Sequence, residues 1–523
     1  MKRIPIINSI KNTLLPSVIT LVCAILLVIS IRGLPGNPSS NELNATKWTE
    51  NGPFELSPER GRFALLYSLL EDHSYFFSVP LAEFAMPDLG YKNKNFVSLF
   101  APGISYIAIP GYLLGKYFGA SQVGAFATAS VFAVINILLI YAIAKKMGAH
   151  TVAALISMIV FLFATPAYAY GVSLYQHHIS TFLILMCLYL YISFNSLWAT
   201  SVIWFLCASA IPIDYPNLFL MFPLGIASLV KLFSLHNVRN MVTAKISIYA
   251  PLTFLSVILP LGFFLWFNTM SYANPFQFSG TVSSAKSYHF PPNTRLNPTA
   301  LSDAEIAKPT SKEKNAVAFF TSRGLLNGLY ILLFSPDRGI IMFTPIVFLG
   351  ILGSFIAFRK HASTTALIWA VIISNILFYA MYGDVWGGWA FGSRYLIPTY
   401  ALLSLFLAFA LSKWKKNVLF LPIFLVLVSY SVIVNTAGAL SSSANPPKVQ
   451  VLELEKLSGI EQKYTPMRNI DSLKNRSKSF VYQTLFKPHI TSWQFYQYIS
   501  GAIIGMIVLL SIALILTKKE ELL

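Results

Sequence analysis

Charge is what this chain is short of. Only 11% of its 523 residues are Asp, Glu, Lys or Arg, less than half the roughly 25% of an ordinary soluble domain. A water-soluble globule of this length would lack the polar surface it needs, so that class is excluded. Acids are scarcer still, with 20 Asp plus Glu against 38 Lys plus Arg, a formal net charge of +18. The basic residues sit in short stretches between apolar runs, which membrane topology explains better than nucleic-acid binding. No nucleic-acid partner is expected. Cysteine is nearly absent: Cys23, Cys187 and Cys207 all lie in apolar segments, so no disulfide framework or Cys-based metal site is implied. No His-x-x-x-His or Glu-x-x-His spacing suggests a metal, and no internal repeat is visible.

What the chain has instead is hydrocarbon. It is 55% hydrophobic and 15% aromatic, with a mean hydropathy of +0.63. Apolar runs long enough to span a bilayer, about 17–25 residues, lie near 13–32, 122–144, 151–169, 179–197, 246–268, 339–358, 364–382, 396–412, 417–436 and 498–517. Residues 199–232 make two more short spans turned at "IPIDYP" (211–216). The basic then apolar N-terminus reads as a retained first helix, because no small-residue cleavage site closes it. The stretch 102–119 is apolar but broken by two prolines and four glycines. It is expected as a helix on the outer surface, as is 326–336. The fold class is therefore an all-α polytopic membrane protein of about twelve transmembrane helices with both termini cytoplasmic.

Charge placement selects this topology. The inner loops carry Lys2, Arg3, Lys11, Lys145, Lys146, Lys231, Arg239, Lys245, Arg359, Lys360, Lys413, Lys415, Lys416, Lys518 and Lys519, against only Glu520 and Glu521. That is the positive-inside bias. Making 102–119 a span would invert everything after it and move Lys145 and Lys146 outside. The outer side then holds 18 of the 20 acids, in loops at 33–121, 170–178, the Asp214 turn, 269–338, 383–396 and 437–497. Residues 1–436 form the transmembrane module, 437–497 a small polar outer domain, and 498–523 the last span and cytoplasmic tail.

The polar residues worth attention converge on that outer face. "ELSPERGRFALLYSLLEDHSYFF" reads as a helix opened by Ser57, with Pro58 at its first position and Glu59 in its first turn. Leu65, Leu66, Leu69 and Leu70 give it an apolar stripe suited to the membrane surface. Glu59, Arg60 and Arg62 stand at one end, Glu71, Asp72 and His73 at the other. Glu59 alone could merely complement the helix dipole. Asp88, His177 and His178 sit at outer ends of spans, and paired histidines there are often simple interfacial residues. Asp214 has no Lys or Arg nearby in sequence, which makes it a functional candidate. Asp337 and Arg338 precede a span, where a guanidinium fork suits a lipid phosphate or a neighbouring carboxylate.

One further stretch, "GDVWGGWAFGSRYL" (383–396), packs four glycines, Trp386, Trp389, Asp384, Arg394 and Tyr395 together. Tryptophans alone would read as an aromatic belt. A belt does not account for the glycines and the two opposite charges. The group reads as a polar pocket at the water interface: indole faces for a sugar ring, Asp384 for hydroxyls and Arg394 for a phosphate.

Four stretches together resemble the GT-C superfamily of polyprenyl-phosphate-dependent membrane glycosyltransferases, of the protein O-mannosyltransferase and aminoarabinose-transferase type. They are "ERGRFALLYSLLEDHSYF" (59–76), "FVSLFAPGISYIAIPGYLLGK" (96–116), "LLFSPDRGIIMFTP" (332–345) and "DVWGGWAFGSRYLIP" (384–398), in family order. The resemblance implies inverting transfer of a sugar from a polyprenyl-phosphate donor to a hydroxyl of a cell-envelope acceptor (glycolipid, polysaccharide or protein) on the non-cytoplasmic face. It places Glu59 at the position of the catalytic base, where aspartate is usual, with Asp72 and Asp88 as competitors. Phe100 stands where relatives often carry a lysine, so phosphate contact falls to Arg338 or Arg394. Arg62, His177, His178, Asp214, Asp337, Asp384, Trp386, Trp389 and Tyr395 complete the expected donor site. Such enzymes are found with or without a divalent cation, and no cation cage is evident. A compact chain without a long hydrophilic acceptor domain suggests a bacterial inner membrane. A transporter or flippase is the alternative, but it should carry ionisable groups at mid-membrane and matched halves. A ligase of preassembled glycans and a binding protein without activity are the others.

Overall fold

A computed structural model describes residues 5–238, 241–285 and 319–517. Lys2, Arg3, Arg239, Lys518, Lys519, Glu520, Glu521 and the middle of the expected 269–338 loop lie outside the described residues, as do the side chains of Lys11 and Lys245. The described chain is mostly helical, with two short antiparallel hairpins. Among the described residues, six helices are long and apolar enough to cross a membrane: 121–146, 250–272, 362–380, 394–414, 420–440 and 492–516. Shorter apolar helices fill most of the other expected spans, at Leu14–Ser30, Thr151–Phe163, His177–Ser193, Leu197–Ile213 and Asn217–Lys231. Their outward faces expose large aliphatic side chains such as Leu21, Leu259, Val426 and Leu509, which a lipid surround accommodates.

Of these six, the most enclosed is the one that includes Ile397–Trp414, most of whose residues are buried. Helix Phe348–Lys360 lies against it at backbone distance. A Cβ added to Gly350 would sit 2.1 Å from the Leu403 carbonyl, and one on Gly353 1.9 Å from that of Phe406. Small residues in this spacing allow membrane helices to approach so closely. The interrupted stretch 102–119 forms two short helices, Gly103–Ile107 and Ile109–Tyr117, the second of which folds back on helix Ser121–Lys146. Glycine permits that too: a Cβ on Gly124 would lie 2.1 Å from the Gly111 carbonyl.

Loops meet at two opposite ends. At one, the His150 amide donates to Ser412 Oγ (2.9 Å), Lys415 Nζ to the Thr517 carbonyl (3.0 Å) and Lys231 Nζ to Asn195 Oδ1 (2.9 Å). At the other, the first loop, the ends of several helices and the segment 441–491 interlock. Arg32, fully buried, donates to the carbonyls of Gly438 (2.6 Å) and Ala439 (3.1 Å) and to Ser443 Oγ (2.8 Å), and pairs with Glu55 at 3.3 Å. Lys478 Nζ closes the network on Glu55 at 2.6 Å. Burial alone would raise the Glu55 carboxyl, but Lys478 and Arg32 hold it below the ordinary carboxylate range. Removing Glu55 would strand the buried charges of Arg32 and Lys478, at a cost of about 3–5 kcal/mol.

Candidate functional site

The first-loop helix runs Ser57–Leu70 and starts one residue earlier than its sequence suggests. Leu56 is the N-cap, and the Glu59 carboxylate accepts the Leu56 amide at 3.4 Å. Ser57 is thereby freed to donate its hydroxyl to Asp88 Oδ2 at 2.6 Å. The leucine stripe does not lie on a membrane surface: Leu65 and Leu66 are buried with Phe63, and Phe63 packs on Phe54 and Phe84. The helix is a core element that delivers Arg62 to a space which Asp88, held by Ser57, also reaches.

That space is a cavity of about 490 Å³. Its polar wall is Arg62, Asp88, Tyr175, Gln176, Asp214, Asp384, Arg394 and Tyr395, drawn from the first loop and four helix ends. Its apolar wall includes Phe219, Phe320 and Phe378, and the adjoining Leu218 and Phe219 are about half exposed on the outside of helix Asn217–Lys231. The cavity is thus polar at the loops and hydrocarbon toward the helix surface.

Two guanidiniums dominate the polar end. The Cζ of Arg62 lies 4.7 Å from the Phe100 ring and 5.6 Å from that of Tyr175; the Cζ of Arg394 lies 5.3 Å from Tyr175 and 5.4 Å from Tyr395. Arg62 Nη1 donates to the Pro58 carbonyl (2.9 Å) and Arg394 Nη2 to that of Gly387 (2.8 Å). Arg62 Nε, Arg394 Nε, Arg394 Nη1 and the Tyr175 hydroxyl are buried with no hydrogen-bond partner. Burial, with Arg394 nearby, brings Arg62 down to about 10, so it stays charged at neutral pH. Unpaired buried donors on cations are costly. An anion placed among them would relieve that cost.

The other sequence candidates divide cleanly. Asp214 lines the cavity and accepts Gln176 Nε2 at 2.9 Å; burial raises its carboxyl, against pull from that hydrogen bond and the two arginines. Glu59 is fully buried and lines no part of the cavity; one of its oxygens has no partner. Burial pushes it up to about 7, against the pull of Arg32. Asp72 is exposed and stands away from the cavity lining. His177 lies behind Tyr175, stacked on it at 5.8 Å and 12°. His178 is a bundle residue whose Nε2 is 2.7 Å from the Ala167 carbonyl, with its own carbonyl accepting Asn136 Nδ2 at 2.8 Å.

The glycine-tryptophan loop acts mainly as a scaffold. Arg338 is buried, and its fork bonds to the carbonyls of Trp386 (2.9 Å), Asp337 (2.8 Å), Gly388 (2.8 Å) and Asn445 (2.9 Å). Buried Asp337, whose carboxyl burial raises despite Arg338 beside it, likewise lies outside the cavity lining. Gly387, Gly388 and Gly392 have φ of +69°, +62° and +60°, which favour glycine. Trp386 and Trp389 do not line the cavity. Trp389 instead donates to Gln450 and lies under Arg468 at 6.0 Å, joining the loop to the 441–491 segment. Tyr395 is held flat on Tyr379 at 4.3 Å and 5°. Sequence reasoning missed Tyr175, Gln176, Tyr379 and Tyr382. The signal was present: two lie beside the histidine pair and two just before the glycine-rich loop.

No family model matches the chain, and no curated protein matches it. Solved structures similar to it include the Archaeoglobus fulgidus oligosaccharyltransferase in the apo form, at 14% identity and a TM-score of 0.42 over 87% of this chain. The same archaeal enzyme, AglB, in complex with an inhibitory peptide and a dolichol-phosphate, gives 12% identity and 0.38 over 94%. ArnT from Cupriavidus metallidurans bound to undecaprenyl phosphate gives 12% identity and 0.45 over 97% of this chain and 77% of its own. This chain spans 59% and 56% of those two archaeal structures.

Proposed function

We propose that this chain is an integral membrane glycosyltransferase of GT-C type, with about twelve spans, that transfers a sugar from a polyprenyl-phosphate donor to an acceptor hydroxyl. The observation that carries the reading is the pair of buried, under-bonded guanidiniums in a cavity whose opposite wall is hydrocarbon. A lipid-borne phosphate satisfies both at once. Its phosphate takes the free N–H groups of Arg62 and Arg394, its tail follows Phe219 and Phe320 toward the bilayer, and its sugar faces the carboxylates.

Asp88 is the base in this reading, because it lines the cavity with the arginines while Glu59 does not. The acceptor oxygen attacks the anomeric carbon and gives its proton to Asp88. The bond from that carbon to the phosphate oxygen breaks, and the electron pair leaves on the phosphate. The leaving group goes from one negative charge to two, and Arg62 and Arg394 are placed to stabilise that change. Asp214 and Asp384 remain to hold sugar hydroxyls. Among the described residues no group of three or more His, Cys, Asp or Glu could hold a metal ion.

In this reading the site end is the non-cytoplasmic one, in a bacterial inner membrane, with both termini inside. Purified protein incubated with a panel of polyprenyl-phosphate sugars and a lipid or glycan hydroxyl acceptor should consume at least one donor and release polyprenyl phosphate. Binding of donors without turnover, together with uptake of a lipid-linked sugar into vesicles, would favour a flippase instead.

A further inference from the structure

We infer that Tyr175 is the positioning residue that makes Arg62 and Arg394 one phosphate clamp; this rests on the donor site proposed above. Two buried like charges in one cavity repel, and each would turn its fork away from the other if nothing held it. Tyr175 holds both. Among the described residues its ring is the one aromatic surface that the two guanidiniums share, 5.6 Å from Arg62 Cζ and 5.3 Å from Arg394 Cζ. A π face attracts each cation and so offsets their repulsion.

The ring cannot yield, because it is 1% exposed, stacks flat on His177 at 5.8 Å and meets Tyr170 edge-on at 5.0 Å. Its hydroxyl is buried without a partner, as are the free N–H groups of both arginines. A phosphate drawn between the guanidiniums therefore meets a third donor in the phenol. Phe100 and Tyr395 each back only one arginine, so neither can couple the pair.

The test measures binding of polyprenyl phosphate alone to detergent-purified protein, with steady-state transfer alongside, for Tyr175→Phe and Tyr175→Leu. The clamp predicts a graded order. Tyr175→Phe keeps the spacer and loses one donor, weakening polyprenyl phosphate binding about three- to tenfold. Tyr175→Leu loses both and weakens it at least thirtyfold, while the KM for the acceptor stays within twofold in each. The near-isosteric Phe variant keeps the test usable if Leu fails to fold. Equal affinity in wild type and both folded variants overturns the inference, as does an acceptor KM that moves as far as the donor affinity. Failure of wild-type protein to bind polyprenyl phosphate at all would instead overturn the donor site itself.

Discussion

Replacing Arg394 with glutamine should cripple transfer and leave the fold intact. Arg394 donates from Nη2 to the Gly387 carbonyl at 2.8 Å, and losing that bond costs about 1 kcal/mol. Part of that is offset, because the substitution also removes repulsion from Arg62. The thermal midpoint should therefore move little. Catalysis is different. Nε and Nη1 have no hydrogen-bond partner in the protein and would face a phosphate that gains a charge as the sugar departs. Truncating one partner of a buried charged pair costs about 2–5 kcal/mol, which is roughly 30- to 5,000-fold at 1.36 kcal/mol per decade. An interaction that strengthens as the bond breaks appears in the turnover number, so kcat should fall more than the donor KM rises. Arg394→Lys keeps the charge without the fork and should lie between. The assay is release of polyprenyl phosphate by detergent-purified variants under saturating acceptor. Arg394→Gln protein that is folded and within threefold of wild-type kcat/KM would refute the reasoning.

The remaining expectations concern the first loop and the scaffold. Asp88→Asn should lower kcat by 10²–10⁴, the usual range for losing a general base, whereas Glu59→Gln should retain most activity; the reverse result, read in the same assay, would return the base to Glu59. Glu59 also makes a pH prediction. Its carboxyl is raised to about 7 from an ordinary 4.5 by burial, so the folded state holds its proton more tightly and loses stability as pH climbs from about 4.5 to 7. Glu59→Gln should thus gain up to about 3 kcal/mol over wild type above pH 7 and little at pH 4.5, checked by thermal unfolding across that range. Arg338→Met should destabilise by about 3 kcal/mol or more, since it leaves four backbone carbonyls without their charged donor. Its purified yield and melting midpoint should fall before any donor-specific defect is seen.

Much of the helical frame could be read from the sequence, because bilayer length and the absence of charge leave few alternatives for a long apolar run. The broken stretch at 102–119 was also legible, since two prolines and four glycines cannot sustain a spanning helix. What could not be read was which way side chains face. The leucines of helix Ser57–Leu70 look the same in sequence whether they meet lipid or protein, and they meet Phe54 and Phe84 by way of Phe63. The glycine-tryptophan loop stood out correctly as unusual, but no sequence pattern reveals that its Trp386 and Gly388 carbonyls, with those of Asp337 and Asn445, hold the Arg338 fork. Tyr175 escaped notice because an aromatic residue beside two histidines at a helix end resembles any interfacial belt. Its importance lies in a contact between residues 62, 175 and 394, far apart in the chain.

The most direct measurement is a structure of the protein, in lipid nanodiscs, with polyprenyl phosphate bound. The account predicts phosphate density between Arg62 and Arg394, within hydrogen-bond reach of the Tyr175 hydroxyl, with the isoprenoid chain leaving past Phe219. Density for the phosphate at Arg338, at the Arg32–Lys478 cluster, or at the opposite end near Lys145 and Lys146 would contradict it.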